Sequence, residues 1–292
     1  MSRDRLWKFQ SKAAPYLFVA PFSLLFAVFL VYPIYRGLAL SFYKTAGRRE
    51  MFIGLANYRF LLGDIMFWGA LANTLAFAVL SLVIQVPAAL GLALLLNSRR
   101  LRFRAVFRFA FFVTHVVGSV FLAVLFAVLL SPRTGLVNRA LGGLDINWLG
   151  RSELVLPAML LASLWVTLGF GMIYFLAALQ AVDKELYEAA EVDGAGKWAR
   201  LWHVTLPGIR PVLVFMVLVN TIAAFQLFEL PYVLFQGGAG PRSRGLTIVM
   251  YLFQTGFQAG DLGYASAIGW VLMLLILAVA IAQVRLMRAI RE

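Results

Sequence analysis

Side chains able to act as acid, base or thiol nucleophile near neutral pH are scarce in this chain. It has thirteen carboxylates, two imidazoles and no cysteine in 292 residues. Without cysteine there is no disulfide, no thiolate chemistry and no Cys-ligated metal site. His115 and His203 stand far apart in different settings, so a His-rich metal site is not indicated. No pair of carboxylates falls inside an apolar run. A phosphate-cradling loop needs G-x-x-x-x-G-K-[ST] between a strand and a helix. The nearest piece, Gly196-Lys197, runs into Trp198 and lacks the earlier glycine. The chain therefore has the means for recognition and passage, not for covalent chemistry or ATP hydrolysis.

Five of the thirteen carboxylates, Asp183, Glu185, Glu188, Glu191 and Asp193, cluster between residues 182 and 206 among basic residues. A connection between two helices needs only a few residues; one this long and charged predicts a small folded element exposed for a partner. Asp183 is a suitable N-cap for a helix over 184–193. Gly194 and Gly196 allow a chain reversal at low steric cost. A second short helix is expected over 197–204, with Trp198, Leu201 and Trp202 on its apolar face. Pro207 is expected to stop it, and Pro211 to sit in the first turn of the next helix.

The elements that hold this loop are apolar. Hydrophobic residues make up 62% of the chain and charged residues 13%, against about 45–50% and 25% in soluble domains. Six runs, at 16–42, 69–97, 105–131, 154–181, 208–235 and 263–286, are each long enough to cross about 30 Å of hydrocarbon. The first follows a basic N-terminal stretch. It is too long for a signal-peptide core and lacks a small-residue cleavage pattern, so it reads as a retained span. Near its end Arg36 can snorkel to the interface. The net charge of +13 lies between the apolar runs rather than on one soluble face, which speaks for topology and against nucleic acid. With the N-terminus in the cytoplasm, sixteen Lys and Arg fall on that side against nine opposite. Both termini are then cytoplasmic, in the cell (inner) membrane. The expected fold is all-α, one domain over 1–292, with the loop at 182–207 inside it.

Polar groups within spans are costly and usually face the bundle interior. In span four Ser163, Val166, Thr167 and Phe170 recur at helical spacing on one face, beside Trp165 and a break-prone Gly169-Phe170-Gly171. In span five Asn220, Ala223, Ala224 and Leu227 share a face, with Gln226 and Glu229 adjoining. Two readings stand for the hydroxyls: they line a path, or they bond their own helix backbone or a neighbour. Two also stand for Glu229, a functional carboxylate or an ion pair with Arg242 or Arg244. His115 reads as an interhelical hydrogen-bonding group rather than a proton relay.

The sequence E-A-A-x3-G-x9-V-x-L-P, from Glu188 to Pro207, resembles the coupling loop of ABC importer permeases, with Val204 in place of isoleucine. The likeness extends over nearly the whole chain and narrows to the maltose-type, carbohydrate-importing permeases. It is carried by Tyr16-Leu17-Phe18 and Pro21, Tyr32-Pro33, Leu40-Ser41-Phe42, Phe52 to Tyr58, Asn73-Thr74, Gly135 to Asn138 and Trp165. Gly237 to Pro241, Phe257, Gly263 and Ala265 to Ala267 continue it. The resemblance implies a type I ABC importer permease that works beside a second, related permease. Two ATP-binding subunits, holding ATP and Mg, would dock below, and an extracytoplasmic binding protein would deliver a sugar or related polyol. It implies that Glu188, Ala189, Ala190 and Gly194, with Leu206 and Pro207, serve ATPase coupling. It also implies that Phe170 is a stacking platform for a sugar face. The rival is a self-contained secondary transporter or channel, which should show internal repeats around discontinuous helices; the sequence shows none.

Overall fold

A computed structural model describes residues 3–46, 49–98 and 101–289. Arg48, Arg99, Arg100 and Arg291 of the charge count lie outside them. The first apolar run is a helix, α1 (Arg3–Phe26), that passes Pro15 and Pro21. It continues through a π turn at Ala27–Val31 into α2 (Tyr32–Leu40). The widened turn has a local cause. Pro33 has no N–H and its ring would press on the carbonyl four residues back. A turn in which Tyr32 N–H reaches Ala27 O relieves that crowding.

Beyond α2, β1 (Tyr43–Ala46) pairs antiparallel with β2 (Arg49–Phe52), and Tyr43 meets Phe52 edge to face. This ribbon departs from the all-α expectation. Four-residue strands with no apolar face of their own leave little period-two signal. In α3 (Ala56–Gly63) the buried Asn57 gives its amide to Ser41 O at 2.9 Å and Tyr43 O at 3.0 Å, pinning the end of α2. Gly263 packs against the Tyr43 carbonyl where no Cβ would fit, its N–H bonded to Thr45 Oγ1, while Gly37 faces Trp270. The last helix, which begins here, therefore runs antiparallel to α2. Residues Met1–Gly63 and Leu252–Val271 form one compact unit.

The second unit comprises Asp64–Tyr251 and Leu272–Glu292. Asp64 caps α4 (Ile65–Asn97) by accepting from Met66 N–H at 2.9 Å. Then follow α5 (Arg104–Val116), α6 (Ser119–Leu129), α7 (Leu136–Ala140) and α8 (Val155–Ala181). Next are α9 (Lys184–Val192), α10 (Lys197–Arg200), a π turn at Leu201–Thr205, and α11 (Leu206–Phe225). Two short helices, α12 (Glu229–Leu234) and α13 (Ile248–Phe253), precede α14 (Leu262–Ala289), which passes through both units.

The core joins α4, α8 and α11. Ala89, Ala93 and Leu96 meet Met172, Phe175 and Leu179, with Ile209 and Met216 closing the third side. Between helices in lipid there is little hydrophobic drive, so close packing decides. Glycines supply it: Gly171 lies against Ala89, and Gly208 against Val182. On the opposite side of the unit Asn73 donates to Ser243 O at 2.7 Å and Leu246 O at 3.1 Å, and Thr74 Oγ1 accepts from Ile248 N–H. Asn138 likewise organises 132–148, donating to Pro132 O and Ile146 O and accepting from Trp148 Nε1.

Three expectations are corrected. Span three is not one helix: α5 and α6 are bent by 102° at Val117-Gly118. Extended backbone at both residues breaks the ladder. Span five ends at Phe225 rather than 235, so Glu229 opens a separate short helix and is not inside the span. Gly169-Phe170-Gly171 does not break α8, which runs unbroken to Ala181. Among the described residues five helices are long and apolar enough to cross a membrane, six with the bent pair. The bent pair completes a crossing: Arg108 of α5 reaches Leu96 O and shares a hollow with Gln180. The C-terminal ends of α4 and α8 thus lie together, the two helices run parallel, and the chain between them must return.

Candidate functional site: the helical loop and the aromatic row

The loop between spans four and five folds as its residue types dictate. Asp183 accepts from Glu185 N–H at 3.0 Å and starts α9. Ala195 N–H bonds Ala190 O at 2.8 Å and Gly194 N–H bonds Glu191 O at 3.1 Å. Gly194 sits at φ +77°, a conformation that a Cβ disfavours. Across the turn Arg200 pairs with Glu191 at 3.0 Å, and Tyr187 OH meets Thr205 Oγ1 at 3.1 Å. Glu188, Ala189, Gly194 and the apolar Val192 are exposed and Ala190 is half-buried. Leu206 does not join them; it packs on the core of α4, α8 and α11. Pro207 is exposed beside the π turn.

Pro207 does not stop the second helix. Residues Lys197–Phe225 form one helix, because the π turn, with Leu206 N–H bonded to Leu201 O, absorbs the proline as its counterpart does before Pro33. Beneath α10 a groove of about 640 Å³ opens between Tyr187, Trp198 and Leu201 and the end of α4 at Leu94 and Leu95. Trp198 and Trp202 stay largely exposed.

In the spans the polar candidates divide. Ser163 accepts from Gln85 Nε2 at 2.5 Å and donates to Leu160 O, and Thr167 donates to Ser163 O at 2.9 Å. Asn220 donates to Met216 O at 2.8 Å. Each thus holds a carbonyl of its own helix, and Ser163 also ties α8 to α4 through Gln85. Val166 and Leu227 are half-buried, Ala224 is buried, and Gln226 is exposed at the end of α11. Glu229 is exposed and makes no ion pair among the described residues. The carboxylate beside Arg242 is Glu153, at 3.7 Å. Ser152 donates a hydrogen bond to Glu153, and that bond first, with Arg242 and Arg151 behind it, holds this carboxyl below its ordinary value. A depressed carboxyl stabilises above its ordinary pKa and loses that as pH falls; fully exposed, Glu153 adds little.

Phe170 has neighbours that sequence reasoning missed. Its ring stacks on His115 at 4.8 Å and meets Tyr174 at 4.7 Å. Tyr174 continues to Phe215 at 5.5 Å, and Phe112 lies on the other side of His115. The row draws on α5, α8 and α11, and its rings are exposed or half-buried. The spacing of Phe170 and Tyr174 was a signal for a shared face; the contribution of α5 was not readable without the bend. We expect Phe170→Ala to impair uptake while leaving assembly intact, since the ring is half-exposed. A stacking contact of this kind is worth about 1–3 kcal/mol with nucleobases, and a sugar face should give no more. Unchanged uptake kinetics in reconstituted complex would remove Phe170 from the path.

Five membrane-length helices among the described residues, six with the bent pair, and a folded, charged hairpin between spans four and five mark a polytopic membrane protein. The family described as "Binding-protein-dependent transport system inner membrane component" matches residues 85–292, and the chain belongs to it. It is 38% identical over 95% of its length to the arabinooligosaccharides transport system permease protein AraP of Bacillus subtilis (strain 168), covering 90% of that protein. It is 36% identical to the lactose transport system permease protein LacF of Rhizobium radiobacter, over 92% of each chain. Among solved structures it is similar to a chain of a bacterial ABC transporter involved in import of the acidic polysaccharide alginate. There the TM-score is 0.86 at 27% identity, over 99% of this chain and 100% of that one. A second crystal structure, of the alginate transporter with a pentasaccharide-bound periplasmic protein, gives 0.84 at 28%, over 99% of each.

Proposed function

We infer that this permease supplies half of the translocation path for a sugar or related polyol in an ATP-driven importer. A second, related permease would supply the other half. The observation that carries the reading is the loop at 182–207, a capped helix and glycine turn whose return helix is continuous with span five. Such a part moves a membrane helix when a cytoplasmic partner moves it. In this reading two ATP-binding subunits, with their ATP and Mg, dock on Glu188, Ala189, Ala190 and Gly194. Residues 1–292 act as one permease domain, and an extracytoplasmic binding protein delivers the substrate. The names of the relatives, an arabinooligosaccharide and a lactose permease among them, support the carbohydrate class. The test is uptake by the reconstituted chain with partners and ATP; transport by the purified chain without either would favour a secondary transporter.

The orientation follows the charge count and an even number of crossings. A cysteine near Asp145 should react with an impermeant reagent from outside, and cysteines at positions 2, 194 and 292 should not. External labelling at 194 would overturn the assignment of the loop to the cytoplasm.

A further inference from the structure

We propose that the chain binds the phosphate of an anionic lipid in a basic hollow at the end of the bundle that carries the loop. The hollow, of about 580 Å³, is lined by Leu101, Phe103, Arg104, Ala105, Arg108 and Gln180. Two guanidiniums line it and, among the described residues, no carboxylate does. The sequence has no Asp or Glu between Asp64 and Asp145. Neither arginine makes an ion pair among the described residues. Arg108 spends Nη2 on a long bond to Leu96 O, at 3.4 Å, and its Nε is buried with no acceptor.

A guanidinium N–H removed from water without a partner is costly. Phosphate oxygens match the fork that Arg presents. Basic pockets between membrane helices at the cytoplasmic side suit anionic head groups. A lipid fits better than a free anion because the walls are also apolar. Phe103 is 76% exposed at the rim, and Val106, Phe107 and Phe109 leave further apolar surface exposed along α5. Its occupancy can be read without any transport assay.

The full complex is purified from vesicles of phosphatidylcholine and phosphatidylglycerol, and the lipid it retains is counted by native mass spectrometry. Retention of phosphatidylglycerol over phosphatidylcholine is expected. It should fall about fivefold for each arginine neutralised, from a contribution of about 1 kcal/mol per basic group, in Arg104→Gln and in the double variant with Arg108→Gln. Arg108→Lys should keep most of it. The Arg104 side chain makes no hydrogen bond in the chain among the described residues, so Arg104→Gln carries the test if the double variant does not assemble. Equal retention by parent and Arg104→Gln would overturn the proposal. Displacement of the lipid by inorganic phosphate at equal concentration would also overturn it, in favour of a soluble anion. Retention by the permeases but not by the complex with ATPase subunits would hand the hollow to a protein contact, again against the proposal.

Discussion

Gly169→Ala is expected to lower the stability of the permease by at least about 2 kcal/mol, within the range for overpacking a closed contact. Gly169→Leu should leave little folded protein to extract. A Cβ at Gly169 would overlap the carbonyl of Phe111 in α5. Backbone cannot swing aside as a side-chain end can, so α5 must be pushed off α8. That loss outweighs the gain of about 1 kcal/mol that Ala brings over Gly in a helix. Gly91→Ala is the matched control, because nothing lies within 4 Å of a Cβ there. Thermal unfolding in detergent separates the two; equal midpoints for the two alanine variants would show that α5 and α8 do not meet at Gly169.

The second large effect belongs to the loop. Gly194→Val places a β-branched residue at φ +77°, which costs about 1–2 kcal/mol where the left-handed region is required. The hairpin is held by few contacts, so it should relieve that strain by reorienting α9 against α10. Glu188→Lys leaves the shape alone. Its side chain is exposed and makes no ion pair in the chain among the described residues, so the change is a reversal of the charge shown outward. Both variants should reach the membrane at parental levels yet lose the ATPase subunit on affinity purification, or hydrolyse ATP without uptake, with transport down at least about tenfold, the equivalent of 1.4 kcal/mol. Parental retention and uptake in both would mean that residues 184–207 do not couple anything.

What could be read in advance followed from local rules. Apolar runs, an N-cap at Asp183 and a reversal at Gly194 are decided within a few residues, and the structure has all three. The asparagines in the quoted motifs, Asn57, Asn73 and Asn138, prove to be buried hubs that each gather two or more distant backbone carbonyls. Their positions were legible and their partners were not. The bend after Val116 escaped because the run from 105 to 131 is long and mostly apolar, and apolarity carries no angle. Glu229 was misplaced for a similar reason: the run from 208 to 235 continues past Phe225, while the helix stops where Gln226 and Leu227 turn. Ser163, Thr167 and Asn220 were legible by type and by face; that they donate to carbonyls one turn back is a choice no spacing rule decides.

The π turn at Leu201–Thr205 also fixes an azimuth. A π turn is an α-helix with one extra residue, and each residue advances a helix by about 100°. The widened turn takes up that extra residue, so the compass bearing of Trp198 around the axis, relative to Met216 on the core face of α11, is kept although the chain between them is one residue longer. Adding one residue in the α-helical stretch between Leu206 and Met216, where no wide turn absorbs it, would keep the helix and its charges yet swing the tryptophan face by about 100°. In this molecule the alignment of cytoplasmic and membrane parts is a matter of counting residues, as the teeth between two gears on one shaft set their phase.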